Sequence, residues 1–148
     1  MAKLATVPVR KAILTLLKAD ATLTAIVPAS RIYPQSPPAS HAWPFVRYGA
    51  PTAIPIVATR IDGSELSVAV HGFAKDRIVD GVLVETAEDH ADRIGAAIAA
   101  ALDRKMVTIT TPYPARIRIR STGCQLIADG GEADAYHAVQ NFRVRVIG

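Results

Sequence analysis

Hydrophobic residues near the start of the chain recur at the spacing of one helical face. They are Val9, Ile13, Leu16 and Leu17. This pattern predicts a first helix that Thr6 caps, with Pro8 in its first turn, where a missing N–H costs nothing. Asp20 is placed to cap a second short helix, from Ala21 to Ile26, which Pro28 ends.

From Phe45 to Phe73 the pattern changes to that of strands. Asp62-Gly63 predicts a two-residue hairpin turn, because both residue types tolerate positive φ. A turn there would place Arg60 opposite Glu65 as an oppositely charged cross-strand pair. The same register predicts one shared face for six side chains: Val57, Thr59, Ile61, Leu66, Val68 and Val70.

A longer helical pattern begins at Thr86, with Asp89 three residues on in an approximate capping box, and extends to about Arg104. Its predicted buried stripe consists of Ala87, Ala91, Ile94, Ile98, Ala101 and Leu102. Because this face also carries Gly95, we expect the helix to lie close against a sheet.

The last third of the chain predicts a short strand near Met106 to Thr110 and two longer strands. Ala115 to Ala128 and Ala135 to Ile147 flank the loop Asp129-Gly130-Gly131-Glu132, which favours another hairpin. The element order is therefore helix, hairpin, helix, hairpin. It indicates one α+β domain over residues 1–148, a mainly antiparallel sheet with helices packed on one face.

Composition narrows the class of protein. Half of the residues are hydrophobic and only 5% are aromatic, so the core must consist mainly of aliphatic side chains. No apolar run approaches the roughly 20 residues of a membrane-spanning helix, and Met1 to Leu17 does not read as a signal peptide. The net charge of +4 permits an anionic partner but does not require that partner to be nucleic acid.

The single cysteine, Cys124, suits a reducing cytoplasm and is expected to be a half-buried strand residue.

Candidate catalytic and metal-binding patterns are weak. The histidines are scattered singly, at positions 41, 71, 90 and 137. His90, beside Glu88 and Asp89, lacks a second histidine four residues away, and the polar first turn around it is expected to be solvated. The four tyrosines and Trp43 are dispersed, so no aromatic platform for stacking nucleic-acid bases is predicted. We therefore expect no catalytic residue, metal or cofactor.

A small cytoplasmic ligand-binding domain is the alternative from a different functional class. Such a domain would need a pocket with convergent polar groups, which the sequence does not indicate.

Arginine alternation is the one pattern that indicates a functional surface. Arg116, Arg118 and Arg120 alternate with isoleucines, and Arg143 and Arg145 alternate with apolar residues in the predicted partner strand. If these strands pair, five arginines share the sheet face turned away from the helices. The face is then either solvated and neutralised by nearby carboxylates, or a contact surface towards an acidic neighbouring subunit or DNA.

Several short motifs follow one another in a fixed order. The chain reads A-D-A-T-L-T-A-I-V at 19–27, R-I-Y-P at 31–34, P-F-V-R-Y at 44–48, T-A-E-D-H-A-D-R-I at 86–94 and N-F-R-V-R-V at 141–146. In order and spacing these motifs resemble the tail-completion, or tail-terminator, proteins of long-tailed bacteriophages and of phage-derived particles such as gene transfer agents. The resemblance covers most of the chain and brings no catalytic residue with it.

The resemblance implies a homo-oligomeric ring, commonly a hexamer, at the head-proximal end of the virion tail, assembled in the cytoplasm of a bacterial host. Such a ring stops tail-tube polymerisation and docks the filled head. Its partners would be the tail tube protein and a head-side connector or stopper, with DNA close by in the lumen and no membrane. A head-side connector or stopper ring is itself the alternative within the same class.

Two loops are candidate interfaces in such a ring, because exposed loops can become ordered on assembly. The first is the proline-rich segment from Pro34 to Pro44, and the second runs from Asp129 to Ala133. The candidate interface residues are Pro37, Pro38, His41, Trp43, Gly130 and Glu132.

Overall fold

The computed structural model describes residues 5–132 and 134–148, so Ala133 at the end of the second candidate loop lies outside the described residues. Helix α1 spans Thr6–Ala19, with Pro8 in its first turn, and α2 spans Ala21–Ile26. The predicted cap of α2 is confirmed, since the Asp20 carboxylate accepts the Leu23 N–H at 2.8 Å.

The predicted cap of α1 is wrong. Thr6 is the first helical residue, preceded by Ala5, which has no side-chain cap. Ala5 is buried in the core and its carbonyl accepts the Val9 N–H at 3.0 Å. The helix therefore starts one residue earlier than the sequence suggests.

One curled sheet and a separate two-stranded ribbon contain the described strands. The strands are β1 Ile32–Tyr33, β2 Phe45–Tyr48, β3 Thr52–Ala58, β4 Ile61–Lys75, β5 Arg77–Val79, β6 Val82–Glu85, β7 Met106–Ile109, β8 Ala115–Ala128 and β9 Ala135–Ile147. The sheet order is β1-β2-β4-β9-β8-β7, with β3 also paired to β4. Among the pairs of these described strands, β1–β2 alone is parallel, so the predicted α+β class with a mainly antiparallel sheet is confirmed.

Helix α3, Ala87–Leu102, packs on β4, β9 and β8. The Thr86 hydroxyl accepts the Asp89 N–H at 3.2 Å, as predicted. The predicted stripe is buried throughout. A Cβ placed at Gly95 would lie 3.0 Å from the Ala138 Cβ, so this helix does lie close to the sheet.

Helix α3 ends before the predicted boundary near Arg104. Asp103 is its C-cap, and Arg104 adopts a left-handed φ of 61°. The Arg104 N–H instead donates to the Ile119 carbonyl at 2.9 Å. This bond directs the chain out of the helix and along β8.

The predicted Asp62-Gly63 turn is wrong. Strand β3 pairs with β4 so that Ala58 faces Ile61, and the two turn residues are Thr59 and Arg60, with φ of 63° at Arg60. Gly63 instead lies inside β4, where a Cβ would overlap the Val146 carbonyl oxygen of β9. A glycine is needed at position 63 because two strands approach closely there, and not because the chain turns.

The side-chain pairings drawn from that turn are wrong for the same reason. Glu65 faces Ile54 on one side and Arg145 on the other, so Arg60 is not its partner. Leu66, Val68 and Val70 are buried. The side chains expected to join them, at positions 57, 59 and 61, are exposed.

A hairpin absent from the prediction forms after β4. Strands β5 and β6 are joined by Asp80-Gly81, with φ of 51° and 75°. This is the Asp-Gly turn chemistry that the prediction assigned to the preceding hairpin. Neither strand pairs with the main sheet in the described structure.

We predict that Gly63→Ala destabilises the protein by about 1–3 kcal/mol, the usual cost of inserting an atom where there is no room. For a domain of this size that corresponds to a melting temperature lowered by roughly 2–4 °C per kcal/mol. Gly130→Ala is the matched control, since nothing lies within 4 Å of a Cβ at that loop position. Thermal unfolding of both variants is the measurement. Equal melting temperatures for the two variants would contradict the strand packing described here.

Candidate functional site

The sheet has a helix-covered face and an outer face, and the predicted arginines lie on the outer one. A Cβ at Gly72 would touch Ile94 of α3 at 2.6 Å, so the even-numbered positions of β4 from Ser64 onwards face the helices. In β8 and β9 the isoleucines and valines that alternate with arginine are buried. The five arginines are exposed: Arg116, Arg118, Arg120, Arg143 and Arg145. We call this set the arginine patch.

Like charges face each other directly within the arginine patch. Arg118 is opposite Arg145, and Arg120 is opposite Arg143. One carboxylate neutralises part of this charge, because Glu65 of β4 lies 3.4 Å from Arg143 and 3.3 Å from Arg145. The sequence prediction missed Glu65 in this role, since it depends on the register between β4 and β9.

The β8 arginines are the less compensated half of the patch. Among the described residues, no ion pair joins Arg116, Arg118 or Arg120 to a carboxylate. Beside them, Arg104 and Lys105 help line an open cleft of about 400 Å³ together with Arg118 and Arg120. The surface formed by the arginine patch is therefore extended by two further cations that the alternation pattern does not reveal.

Aromatic rings collect at the other end of the outer face, in a cluster that the sequence analysis does not predict. Phe45 and Phe73 stack with centroids 4.6 Å apart, and His137 stacks on Phe73 at 4.2 Å. Trp43 meets Phe45 edge-on at 5.0 Å. These four residues, together with His41 and His71, are called the aromatic cluster below. Its members come from distant parts of the sequence, so pattern analysis of separate segments could not assemble it.

The two candidate interface loops meet at the aromatic cluster through one lysine. The Lys75 Nζ lies 4.7 Å from the centre of the Trp43 ring and 3.4 Å from the Glu132 carboxylate. In the first loop, His41 Nδ1 lies 3.1 Å from the Pro38 carbonyl and the ring packs on Phe45 at 4.0 Å.

The other candidate loop residues make fewer contacts. Pro37 is partly buried, whereas Gly130 is exposed. A Cβ at Gly130 would have no neighbour within 4 Å. The predicted loop residues thus divide into a packed part near Lys75 and an open tip.

A family of known proteins matches almost the whole chain. Residues 11–147 match the model of the family described as tail completion protein gp17. The chain belongs to this family. No curated protein matches the chain.

A solved structure has the same fold. A chain in the virion of a native gene transfer agent particle is 20% identical, with a TM-score of 0.76 and coverage of 99% of this chain and 100% of that chain. The family assignment makes the protein a structural component of the phage tail. The described helices include none that is both long and apolar enough to cross a membrane.

A cleft of about 540 Å³ between α2, α3 and the base of β5 does not resemble a ligand site. Its polar groups already serve one another: Arg93 binds the Glu85 carboxylate through two hydrogen bonds of 2.9 Å, which holds the pKa of Glu85 below its ordinary value. Asp76 accepts the Ala87 N–H at 2.7 Å. These groups stabilise the start of α3 and the ribbon beside it.

The structure corrects two expectations about single residues, His90 at the start of α3 and Cys124 on β8. His90 is buried, with Nδ1 3.1 Å from the Lys75 carbonyl, so the first turn of α3 is not fully solvated. Cys124 is exposed, because the second half of β8 extends beyond the layer of helices. Within the described residues, no cluster of three His, Cys, Asp or Glu side chains is arranged to hold a metal ion.

His71 and His137 are far apart in the sequence, but they form a pair in the aromatic cluster. The Nδ1 atom of His71 lies 2.5 Å from the Nε2 atom of His137. Burial, the neighbouring His137 and the Arg47 guanidinium lower the pKa of His71 from 6.5 to about 4. Burial and Arg47 also lower the pKa of His137. Both imidazoles are therefore held in the neutral form near pH 7.

We predict that acidification destabilises the fold through this pair. Below pH 6.5 an unfolded chain binds a proton at His71 that the folded chain does not bind until about pH 4. The contribution of His71 to the free energy of unfolding is therefore fully present above pH 6.5. It is lost as the pH falls from 6.5 towards about 4. His71→Asn removes the titrating group, so its unfolding free energy should fall less between pH 7 and pH 5 than that of the wild type. Denaturant unfolding at both values measures this, and equal losses for the two proteins would contradict it.

Proposed function

We propose that this protein forms a ring at the head-proximal end of the tail tube, where it ends tube polymerisation and joins the tail to the head. The match to the tail completion family over residues 11–147 carries the proposal. The arrangement of the domain supports it, because broad exposed faces suit subunit contacts. Polar groups of the cleft between α2, α3 and β5, by contrast, are used for internal bonds.

The arginine patch is the proposed contact surface towards an anionic neighbour. Its cross-strand pairs place Arg118 against Arg145 and Arg120 against Arg143, an arrangement that costs stability in an isolated domain. Glu65 relieves the β9 arginines only. An acidic surface on an adjacent tail or head protein would relieve the β8 arginines and gain charge-assisted hydrogen bonds.

The packed parts of the two candidate loops form a second proposed contact region. Lys75 holds Trp43 and Glu132 close together, so one docking partner can meet both loops at once. The exposed tip at Gly130 is free to adapt to that partner.

The proposal is tested by tail length and tube capping. We predict that deletion of the gene gives tails of uncontrolled length that lack heads, and that added purified protein binds one end of isolated tail tubes. Negative-stain electron microscopy measures both outcomes. Tails of normal length joined normally to heads, together with purified protein that never binds tubes, would overturn the proposed function.

If the arginine patch contacts an anionic partner, charge reversal there should weaken partner binding without lowering the stability of the domain. We predict that Arg118→Glu with Arg120→Glu keeps or raises the melting temperature, because each glutamate then faces an arginine of β9. The same variant should bind tail tubes or heads at least about fivefold more weakly, since like charges would meet across the contact.

The matched control is Lys11→Glu with Lys18→Glu, the same charge change at two exposed positions of α1. Wild-type binding should weaken with added salt, because exposed charges are screened over roughly 10 Å at about 0.1 M. Anisotropy of a labelled DNA duplex, measured in parallel, separates DNA from protein as the partner. Unchanged binding of tubes, heads and the DNA duplex by the arginine variant would assign the patch to solvent.

A further inference from the structure

Two exposed apolar hairpins project from this domain. The first hairpin, residues 52–61, comprises β3 and its turn, and the second hairpin, residues 77–85, comprises β5, β6 and their turn. Neither is covered by a helix or by another strand layer in the described structure. Exposed apolar strands of this kind are interaction sites or aggregation hazards in soluble proteins.

The first hairpin has an uncharged strand on an open edge. Strand β3 reads Thr-Ala-Ile-Pro-Ile-Val-Ala and pairs only with β4. The side chain of Val57 is 92% exposed and that of Ile54 is 62% exposed. Strand β3 carries no lysine or glutamate, the charged residues that often protect an edge strand in water, and Pro55 is its one residue of a type that discourages pairing at an open edge.

The second hairpin is apolar on both faces. Its strands pair with each other and with no strand of the main sheet in the described structure. Five large side chains are exposed on it: Ile78, Val79, Val82, Leu83 and Val84. Its base is fixed by the ion pair of Arg77 and Glu85 at 3.4 Å, so the ribbon is held in place although its faces are uncovered.

The two hairpins lie at opposite ends of β4 and cannot meet within one molecule. Strand β3 of the first hairpin runs beside residues 61–67 of β4, with its turn just before Ile61, and the second hairpin begins after Lys75 at the other end of this 15-residue strand. A strand of that length spans about 45 Å when extended. A contact between the two hairpins therefore has to join different molecules.

The tips of the hairpins carry opposite charges. Arg60 is at the turn of the first hairpin and Asp80 is at the turn of the second. Neither residue belongs to an ion pair in the described part of the chain. Two apolar surfaces, each with one charge of opposite sign at its tip, are complementary in both chemistry and charge.

We infer that the first hairpin of one copy packs against the second hairpin of the next copy, with Arg60 close to Asp80. The inference rests on the proposed ring and names the contact that builds it. Because the two surfaces are different, the contact is head-to-tail. A head-to-tail contact propagates around a closed ring, whereas a contact between identical surfaces stops at a dimer.

Charge exchange tests the pairing of the tips. Arg60→Asp alone and Asp80→Arg alone should each weaken self-association about five- to tenfold, because like charges then meet at every contact. The protein that carries both substitutions restores an opposite pair and should regain association. The matched controls are Lys18→Asp and Asp92→Arg, which change charge at exposed positions on α1 and α3. Sedimentation velocity of the purified chain, alone and bound to tail tubes, measures the effect.

Chemical crosslinking tests the geometry of the contact. In a Cys124→Ser background, a protein with both Val57→Cys and Leu83→Cys should give a ladder of covalent oligomers with a short bis-maleimide. Each single-cysteine protein should give no ladder, since a head-to-tail contact does not bring identical residues together. Val57→Asp and Leu83→Asp should each abolish association, whereas Val7→Asp on α1 should not.

The outcomes separate this inference from the proposed function. Wild-type oligomers without a ladder, and without any effect of charge exchange, would overturn the hairpin contact and leave the ring intact. A chain that never self-associates, alone or on tubes, would overturn both. A ladder from the double-cysteine protein together with rescue by charge exchange supports the contact.

Discussion

The antiparallel ladder between β4 and β9 is the constraint on which the rest of the structure depends. It runs without interruption from the pairing of Gly63 with Ile147 to that of Lys75 with Ala135. Because side chains alternate along both strands, this register decides which residues face the helices and which face outwards. A shift of one residue would bury the arginines of β9 and expose its valines. The absence of a Cβ at Gly63 is what lets the two backbones meet at the start of the ladder.

The same ladder gives the outer face two chemically different ends. One end carries the arginine patch with Glu65, and the other carries the aromatic cluster with Lys75. Phe73 lies eight positions after Glu65 on β4, or roughly 26 Å along an extended strand. A domain with two such surfaces on one face, one apolar hairpin beside the start of β4 and a second beyond its end, is suited to several simultaneous protein contacts. This is the kind of domain that a tail completion role requires.

Much of the fold follows from local pattern, and the errors arise where two local signals compete or where contacts are distant. The two longest helices and the bounds of β8 and β9 depend on periodicity, so the sequence predicts them well. The chain contains Asp-Gly twice, at 62–63 and 80–81, and only the second forms a turn. Turn chemistry alone cannot separate them, because the role of Gly63 is set by its contact with Val146, more than 80 residues later in the chain.

The candidate site shows the same division. Exposure of the arginine patch could be predicted, because alternation within one strand is a local property. The aromatic cluster could not be predicted, because it needs the pairing of β2 with β4 and of β4 with β9. The histidine pair has the same origin, since His71 and His137 are separated by 66 residues. Compensation of the arginines by Glu65 likewise requires the register between distant strands.

We propose that this chain forms a ring at the junction between tail and head, and a cryo-electron microscopy reconstruction of that junction in intact particles can decide the matter. We expect a closed ring of this fold at the head-proximal end of the tail tube, with the arginine patch against a neighbouring protein. Density for this chain along the tail tube, at its distal tip, or nowhere in the particle would refute the proposed ring.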